Sequence, residues 1–285
     1  MSKLDILQNF KKSYYQLYPF PHFEINNVYN EKLYEQLSKD YNLFIDYFKK
    51  KKEFKQNNIR MQISAKEFFE SNIFKNSIWF DFTKYHTSIE FFDKIIDIFY
   101  KDIIKIYPNA EKLFKKLDNN KFLNIRDLNN LKDYNFVTDC QPGINTPCFE
   151  KSSVRGPHVD NSAELIAGLF YLRDDLDKST GGDLVIHNSG EKKIYFEGKA
   201  EVKNIQDLTD VKIIKYKKNH TVFFLNSINS IHSITPRQIT NNTRRLTNII
   251  IETYKMEKNL FILNRKQSVL KILNNKLKNL FNSKK

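Results

Sequence analysis

The distribution of glycine divides this chain into two unlike parts. All seven glycines lie between Gly143 and Gly198, and none precedes them. Glycine-free sequence suits helices, whereas sequence interrupted by glycine suits strands and turns. In the first part, residues 31–50 and 87–107 carry apolar side chains at three- and four-residue steps, which predicts two amphipathic helices. Ser88 is the expected N-cap of the second helix, and Pro108 is its expected stop.

The second part reads as strands. Short runs rich in β-branched and aromatic residues occupy positions 136–140, 166–172, 183–187, 192–196, 211–216, 221–225 and 246–253. Alternation within the runs and turns between them favour two antiparallel sheets. We therefore expect an α+β fold, with a double-stranded β-helix (a jelly-roll, or cupin-like, core). Residues 1–134 would form N-terminal cover helices, residues 135–256 the core, and the whole chain, 1–285, one domain.

The C-terminal segment, residues 257–285, has leucines on one helical face and lysines on the other. This pattern predicts an amphipathic helix. A basic amphipathic helix can lie on a membrane, but packing on the domain or on a second copy of the chain is the more ordinary role. A homodimer formed through this helix is therefore one expectation.

The formal net charge is +14, which raises the question of a nucleic-acid partner. Only eight of the 47 basic residues are Arg, the residue suited to forked phosphate recognition. We interpret the charge as a solvated lysine surface and expect no specific nucleic-acid binding. The apolar runs are too short for a membrane span, no secretory signal is visible, and Cys140 and Cys148 are the only cysteines. These features predict a cytoplasmic protein with reduced thiols.

Candidate metal ligands come from the sequence His158-Val159-Asp160 and from His232. Side chains at i and i+2 of an extended segment share one face, so His158 and Asp160 would project into the same space. Two imidazoles and one carboxylate on one face of a metal leave its other positions open, which is typical of non-haem Fe(II) oxygenases. Mn, Co, Ni or Zn could bind the same ligands.

The surrounding motifs give these residues a family context. They occur in the order Arg155-Gly156-Pro157-His158-Val159-Asp160, Gly168-Leu169-Phe170-Tyr171-Leu172, Gly181-Gly182-Asp183, Ile231-His232-Ser233 and Arg244-Arg245-Leu246-Thr247-Asn248. Across residues 137–254 this order resembles the 2-oxoglutarate- and Fe(II)-dependent oxygenase superfamily, and within it the prolyl-hydroxylase-like branch. The resemblance implies that His158, Asp160 and His232 bind Fe(II), with 2-oxoglutarate and O2 as cosubstrates.

An arginine after the last histidine is expected to bind the far carboxylate of 2-oxoglutarate, because its planar fork matches that group. Strand alternation sends Arg244 and Arg245 to opposite faces, so at most one of them can face the pocket. One register pairs Arg244 with Asn248, and the other pairs Arg245 with Thr247. We favour the first. The resemblance also implies that the Tyr171 hydroxyl donates to the same carboxylate, although Tyr171 could equally be a core aromatic. Gln141 is a weaker candidate for a cosubstrate contact.

The implied activity is hydroxylation of an unactivated C–H bond, with release of succinate and CO2. The substrate could be a small molecule or a peptidyl residue. Two alternatives stay open: a nucleic-acid-modifying oxygenase, which would need lysines around the pocket mouth, and a non-catalytic, cupin-like metal-binding protein.

Overall fold

The computed structural model describes residues 2–114, 121–255 and 260–261. Its helices are α1 (Glu31–Asp40), α2 (Asn42–Lys49), α3 (Ala65–Glu70), α4 (Ile78–His86) and α5 (Ile89–Ile106). Its strands are β1 (His22–Asn26), β2 (Arg60–Gln62), β3 (Leu123–Ile125), β4 (Phe136–Asn145), β5 (Glu164–Leu172), β6 (Leu184–Asn188), β7 (Phe196–Glu197), β8 (Glu201–Val202), β9 (Thr209–Ile214), β10 (Lys218–Leu225), β11 (His232–Ile234) and β12 (Arg244–Glu252). The predicted α+β class is confirmed.

Helix α5 has the expected boundaries. The Ser88 hydroxyl accepts a hydrogen bond from the Phe91 amide at 3.3 Å, so Ser88 is the N-cap, and the helix ends two residues before Pro108. The single helix predicted for residues 31–50 is instead two helices that meet at Tyr41.

Tyr41 reaches from this helix junction into the sheet. Its hydroxyl lies 2.8 Å from the Gly143 carbonyl oxygen and 2.5 Å from that of Leu246, and it accepts a hydrogen bond from the Gly143 amide at 2.9 Å. The Tyr41 backbone is still in the right-handed helical region (φ −63°, ψ −19°), so the predicted helix differs from the structure by a one-residue interruption.

A seven-stranded sheet, which we call the major sheet, has the order β1-β10-β5-β12-β4-β2, with β3 beside β4. All its pairs are antiparallel except β3–β4. The first 134 residues therefore supply three strands as well as helices. The predicted strand at 136–140 extends to Asn145, and the one predicted at 192–196 is reduced to β7.

A second sheet, which we call the minor sheet, contains β11-β6-β9 and the β7–β8 hairpin. The backbone of His158 forms bridges to Glu201 and His232, so it connects β8 to β11. Residues of both sheets share one apolar cluster, made of Leu184, Ile186 and Ile214 from the minor sheet and Tyr171, Phe224 and Leu246 from the major sheet, among others. Two antiparallel sheets that face each other across such a cluster are typical of a jelly-roll.

Strand β12 separates two environments. Its Leu246 belongs to the cluster between the sheets, whereas Ile249 and Ile251 belong to a larger cluster that also contains residues of α1, α2, α4 and α5. This alternation follows from the two-residue period of a strand. One face of the major sheet is therefore packed against helices, and the other is left to line a space between the sheets.

The predicted C-terminal helix, residues 257–285, lies outside the described residues except for Leu260 and Phe261, and so does the homodimer expected through it. Leu260 and Phe261 belong to the larger cluster, and the Leu260 amide donates to the Ser162 carbonyl. Among the helices described, none has both the length and the apolar character needed to cross a membrane.

Candidate metal centre

His158 and His232 are direct neighbours across two antiparallel segments of the minor sheet. The amide of each donates to the carbonyl of the other, and both distances are 2.9 Å. The ring centroids lie 4.2 Å apart. Pairing of the backbone thus brings together two imidazoles that are far apart in the sequence.

Asp160 completes the cluster from the extended segment that follows His158. One carboxylate oxygen lies 3.6 Å from Nε2 of His158, and the other lies 3.6 Å from Nε2 of His232. One atom from each of the three residues can be chosen so that all lie within 4.8 Å of one another. The i, i+2 relation expected from the sequence thus places the carboxylate beside both imidazoles.

The hydrogen bonds of the two histidines leave the correct nitrogens for a metal. Nδ1 of His158 lies 2.7 Å from the Gly156 carbonyl oxygen, and Nδ1 of His232 lies 2.9 Å from that of Ser230. A carbonyl oxygen only accepts, so each Nδ1 carries the proton and each Nε2 presents a lone pair. Such outer contacts fix the tautomer and orientation of metal-binding histidines.

The protonation states also suit a cation. Burial lowers the pKa of His232 to about 4, with a contribution from the nearby His158, so its imidazole is neutral at pH 7. Burial raises the pKa of Asp160, but attraction to His232 and His158 outweighs this, and the net pKa lies well below its usual range. Arg155, 3.5 Å from Asp160, acts in the same direction. The site therefore offers two imidazole nitrogens, of which that of His232 is neutral, and one anionic oxygen, the ligand set that suits Fe(II).

A cavity of about 400 Å³ lies between the two sheets and includes these three residues in its wall. The major sheet contributes Gln141 and Asn145 from β4 and Arg244, Leu246 and Asn248 from β12. The cross-strand register places Arg244 opposite Asn145 and Asn248 opposite Gln141. One continuous space therefore connects the His-Asp-His cluster to the start of β12.

Arg244 is buried at the end of this cavity, where four contacts hold it. Its Nε donates to the Gly182 carbonyl at 2.8 Å, and one terminal nitrogen, Nη1, donates to Oδ1 of Asn145 at 3.1 Å. Its guanidinium carbon lies 5.1 Å from the ring centroid of Tyr171 and 5.1 Å from that of Tyr216. The guanidinium therefore packs against two neighbouring aromatic rings.

Several buried polar atoms around Arg244 have no hydrogen-bond partner among the described residues. They include Nη2 of Arg244, the Tyr171 hydroxyl and Nδ2 of Asn145. All three can donate a hydrogen bond. Because unsatisfied buried donors are costly, their concentration at one end of the cavity fits an anion with several acceptor oxygens, such as a carboxylate.

Arg245 lies on the opposite face of β12. Its guanidinium forms an ion pair with Asp174 at 2.7 Å, and its backbone amide donates to the Tyr216 hydroxyl. Thr247 shares that face, is fully buried and does not line the cavity. Of the two registers open at the sequence level, the structure has the one that turns Arg244 and Asn248 inward.

The other two predicted residues, Asn248 and Gln141, differ in whether their side chains already have hydrogen-bond partners. Oδ1 of Asn248 is buried without a partner. Gln141, by contrast, is held at both ends of its amide, since Gln62 donates to its Oε1 and its own Nε2 donates to Asp139. Because both ends of its amide are already bonded, Gln141 stabilises the cavity wall and is not free to contact a cosubstrate.

Four residues at the site were missed by the sequence analysis: Arg60, Asn145, Gly182 and Tyr216. Gly182 lies in one of the quoted motifs, but the sequence analysis gave it no role of its own. Its φ of +79° is in the left-handed region, which favours glycine, and a Cβ there would lie 3.0 Å from the Arg244 side chain. Gly182 thus supplies the carbonyl that orients Arg244, a role that the Gly-Gly pair alone does not reveal.

Comparison with known proteins returned structural matches only. No protein-family model matches the sequence, and no curated protein matches it. Among solved structures, the chain is similar to a putative oxygenase from Shewanella oneidensis, with 12% identity over 91% of this chain and 90% of that one and a TM-score of 0.47. It is also similar to a prolyl 4-hydroxylase from Phytophthora capsici, with 12% identity over 98% and 72% of the two chains and a TM-score of 0.42.

A third similar structure is the viral collagen prolyl hydroxylase of Paramecium bursaria Chlorella virus-1, solved as a 2-oxoglutarate complex. It shares 11% identity over 82% of this chain and 96% of that one, with a TM-score of 0.34. Oxygenases and prolyl hydroxylases, the classes that the sequence motifs resemble, thus recur among these matches.

Proposed function

We propose that this protein is a 2-oxoglutarate- and Fe(II)-dependent oxygenase that hydroxylates an unactivated C–H bond of its substrate. One observation carries the proposal. A cluster of His158, Asp160 and His232 shares a cavity with a buried arginine, Arg244, that is surrounded by unpaired buried donors. A metal-binding protein without turnover would not need this arginine and its neighbouring donors.

The metal would be held by Nε2 of His158, Nε2 of His232 and the Asp160 carboxylate. Both imidazoles are preset for this role, because their Nδ1 protons are held by backbone carbonyls. Little reorganisation is therefore needed on binding. Fe(II) and 2-oxoglutarate together supply the capacity to reduce O2, so that one oxygen atom enters the substrate C–H bond and the other enters succinate, with release of CO2.

The far carboxylate of 2-oxoglutarate would be bound by Arg244, with the Tyr171 hydroxyl and the Asn145 amide as further donors. Charge-assisted hydrogen bonds of this kind are the strong ones. Since Arg244 is already fixed by Gly182 and the two tyrosine rings, binding costs little side-chain entropy. Apolar side chains complete the wall and exclude water: Leu169, Leu184, Phe224, Ile234 and Leu246.

The test begins with metal binding. Purified protein should bind one Fe(II) per chain under anaerobic conditions, and Asp160→Ala should sharply weaken that binding while the circular dichroism spectrum is unchanged. Glu164→Gln is a matched control, because Glu164 also lines the cavity but is not among the three clustered residues. Full iron retention in Asp160→Ala, or an equal loss in Glu164→Gln, would contradict the ligand assignment.

Turnover separates an enzyme from a binding protein. With Fe(II), O2 and 2-oxoglutarate but no substrate, the protein should release succinate slowly, and Asp160→Ala should not. Untargeted metabolite profiling with and without the enzyme is the route to the substrate. If iron and 2-oxoglutarate bind but succinate never forms in either experiment, the non-catalytic reading replaces this proposal.

A further inference from the structure

Arg60 lies in the cavity wall on the edge strand β2. Strand alternation turns Met61 toward the helix-side cluster and leaves Arg60 and Gln62 on the cavity side. The register places Arg60 opposite Asn145, which in turn is opposite Arg244. The two arginines thus lie in one row across the major sheet, with β4 between them.

Arg60 differs from the other arginines of the cavity in having no direct partner. Arg126 pairs with Glu252 at 2.9 Å, Arg155 donates to the Lys199 carbonyl at 2.6 Å, and Arg244 is held as described. The Arg60 side chain forms no hydrogen bond or ion pair within the described residues, although its backbone pairs with β4. Its side chain is exposed to solvent. An arginine side chain keeps its charge at neutral pH, so Arg60 is a cation there.

The net charge of the cavity with Fe(II) and 2-oxoglutarate bound also favours an anionic substrate. Fe(II), Asp160, a doubly negative 2-oxoglutarate and Arg244 would together be formally neutral, and Arg126 is paired with Glu252. Of the remaining lining residues, Arg60, Arg155 and Lys199 are basic, whereas Glu164 is acidic. The cavity therefore keeps a net positive charge, which would attract an anionic substrate.

Arg60 is on a different strand from Arg244. Neighbouring strands lie about 4.8 Å apart, so the backbones of β2 and β12 are about 10 Å apart across β4. Arg244 is held by Gly182, Tyr171 and Tyr216, and none of these residues belongs to β2. These positions leave Arg60 free to serve a second ligand.

We propose that Arg60 binds an anionic group, a carboxylate or a phosphate, on the molecule that is hydroxylated. This inference rests on the proposed function, because it assumes that Arg244 is occupied by 2-oxoglutarate. It assigns a substrate class: molecules that carry a negative charge near the C–H bond to be oxidised. Arg60 then determines specificity, since its fork rejects a neutral isostere of that group.

The experiment follows the arginine Nε–H signals by NMR in protein loaded with Zn(II), a redox-inert substitute for Fe(II), and saturated with 2-oxoglutarate. The chain has only eight arginines, and Arg60→Lys identifies the signal of Arg60. The probes are acetate, inorganic phosphate and acetamide, the neutral counterpart of acetate. We expect acetate or phosphate to shift the Arg60 signal in a saturable way and acetamide to leave it unchanged; which anion binds more tightly tells carboxylate from phosphate.

Variants separate the two arginine roles. Arg60→Gln should abolish the acetate or phosphate site and change the dissociation constant of 2-oxoglutarate less than twofold, whereas Arg244→Gln should weaken 2-oxoglutarate binding roughly tenfold or more. If Arg60→Gln weakens 2-oxoglutarate as much as Arg244→Gln does, Arg60 belongs to the cosubstrate site and the inference is wrong. An Arg60 signal that ignores both anions, while Zn(II) and 2-oxoglutarate bind, also refutes it and leaves the proposed function intact. Failure of Zn(II) and 2-oxoglutarate to bind refutes the proposed function itself.

Discussion

Replacing Arg244 with Gln tests the proposed binding of 2-oxoglutarate. The change removes the positive charge, the orphan Nη2 donor and the contact from Nε to the Gly182 carbonyl. The Tyr171 hydroxyl and Asn145 remain. We therefore expect 2-oxoglutarate to keep its metal contacts and to lose most of the binding energy at its far carboxylate.

The magnitude follows from the number and kind of bonds removed. A hydrogen bond to a charged group contributes about 1.5–3 kcal/mol, which corresponds to roughly a tenfold to hundredfold rise in the dissociation constant. Arg245→Gln is the matched control, because it removes the same charge from the opposite face of the strand, where Arg245 pairs with Asp174. It should change 2-oxoglutarate affinity by less than about twofold.

Calorimetric titration of 2-oxoglutarate into the Zn(II)-loaded proteins measures both constants. A thermal melt gives a second readout, since a ligand that binds only the folded protein raises the melting temperature. That rise should persist in Arg245→Gln and shrink in Arg244→Gln. If the two variants lose affinity equally, or if only Arg245→Gln loses it, the register of β12 in the cavity is wrong.

Three further predictions concern stability and charge. Burial lowers the pKa of His86 to about 4, whereas an unfolded histidine has a pKa of about 6.5. Between these two pH values the unfolded chain binds more protons than the folded one. The free energy of unfolding should therefore fall by about 3 kcal/mol as the pH drops from about 6.5 to about 4. Urea unfolding at pH 7 and near pH 4.5 measures this fall, which should be smaller in His86→Phe than in the unsubstituted protein. An equal fall in the two proteins would contradict the prediction. A Cβ on Gly168 would lie 2.1 Å from the Phe223 ring, whereas a Cβ on Gly156 meets nothing within 4 Å. In the same assay, Gly168→Ala should therefore lower the free energy of unfolding by about 1–3 kcal/mol. Gly156→Ala, the control, should lower it by less than about 0.5 kcal/mol. Single- and double-stranded oligonucleotides should not bind with submicromolar affinity at about 0.15 M salt; retained affinity, or succinate release stimulated by an oligonucleotide, would favour a nucleic-acid substrate instead.

The metal cluster was the part of the site most accessible to sequence reasoning. His158 and Asp160 are two residues apart, and an extended backbone alone places them on one side. The position of His232 depended on its surrounding motif, because only pairing across the minor sheet brings it to His158. Alternation limited the choice to one of Arg244 and Arg245 once β12 was expected to be a strand, and the preference for Arg244 came from the family resemblance.

Asn145 was missed because β4 was expected to end early. Pro142 and Gly143 suggest a turn, yet the strand continues through them to Asn145. Proline cannot donate to a ladder, but here its carbonyl accepts from the Ile63 amide. The Gly143 amide donates to the Tyr41 hydroxyl, a partner that sequence reading cannot supply.

Arg60 and Tyr216 were missed for a different reason. Strand β2 is three residues long, too short to show a period, and it lies about 80 residues before its partner β4. Tyr216 follows β9 outside any recognisable motif, and only the folded chain brings its ring against Arg244. Contacts between distant segments of this kind are encoded by packing and leave no local pattern.

The contact of Tyr41 with Gly143 and Leu246 bears on how the protein could be dissected. The change in glycine content near residue 135 resembles a module boundary, and a fragment that starts there would keep His158, Asp160, His232 and Arg244. That fragment would lack the hydroxyl that ties β4 to β12 next to Arg244, and it would lack both outermost strands, β1 and β2, of the major sheet. Its exposed sheet edges would invite self-association. A shortened or grafted version of this chain would therefore have to include the N-terminal region.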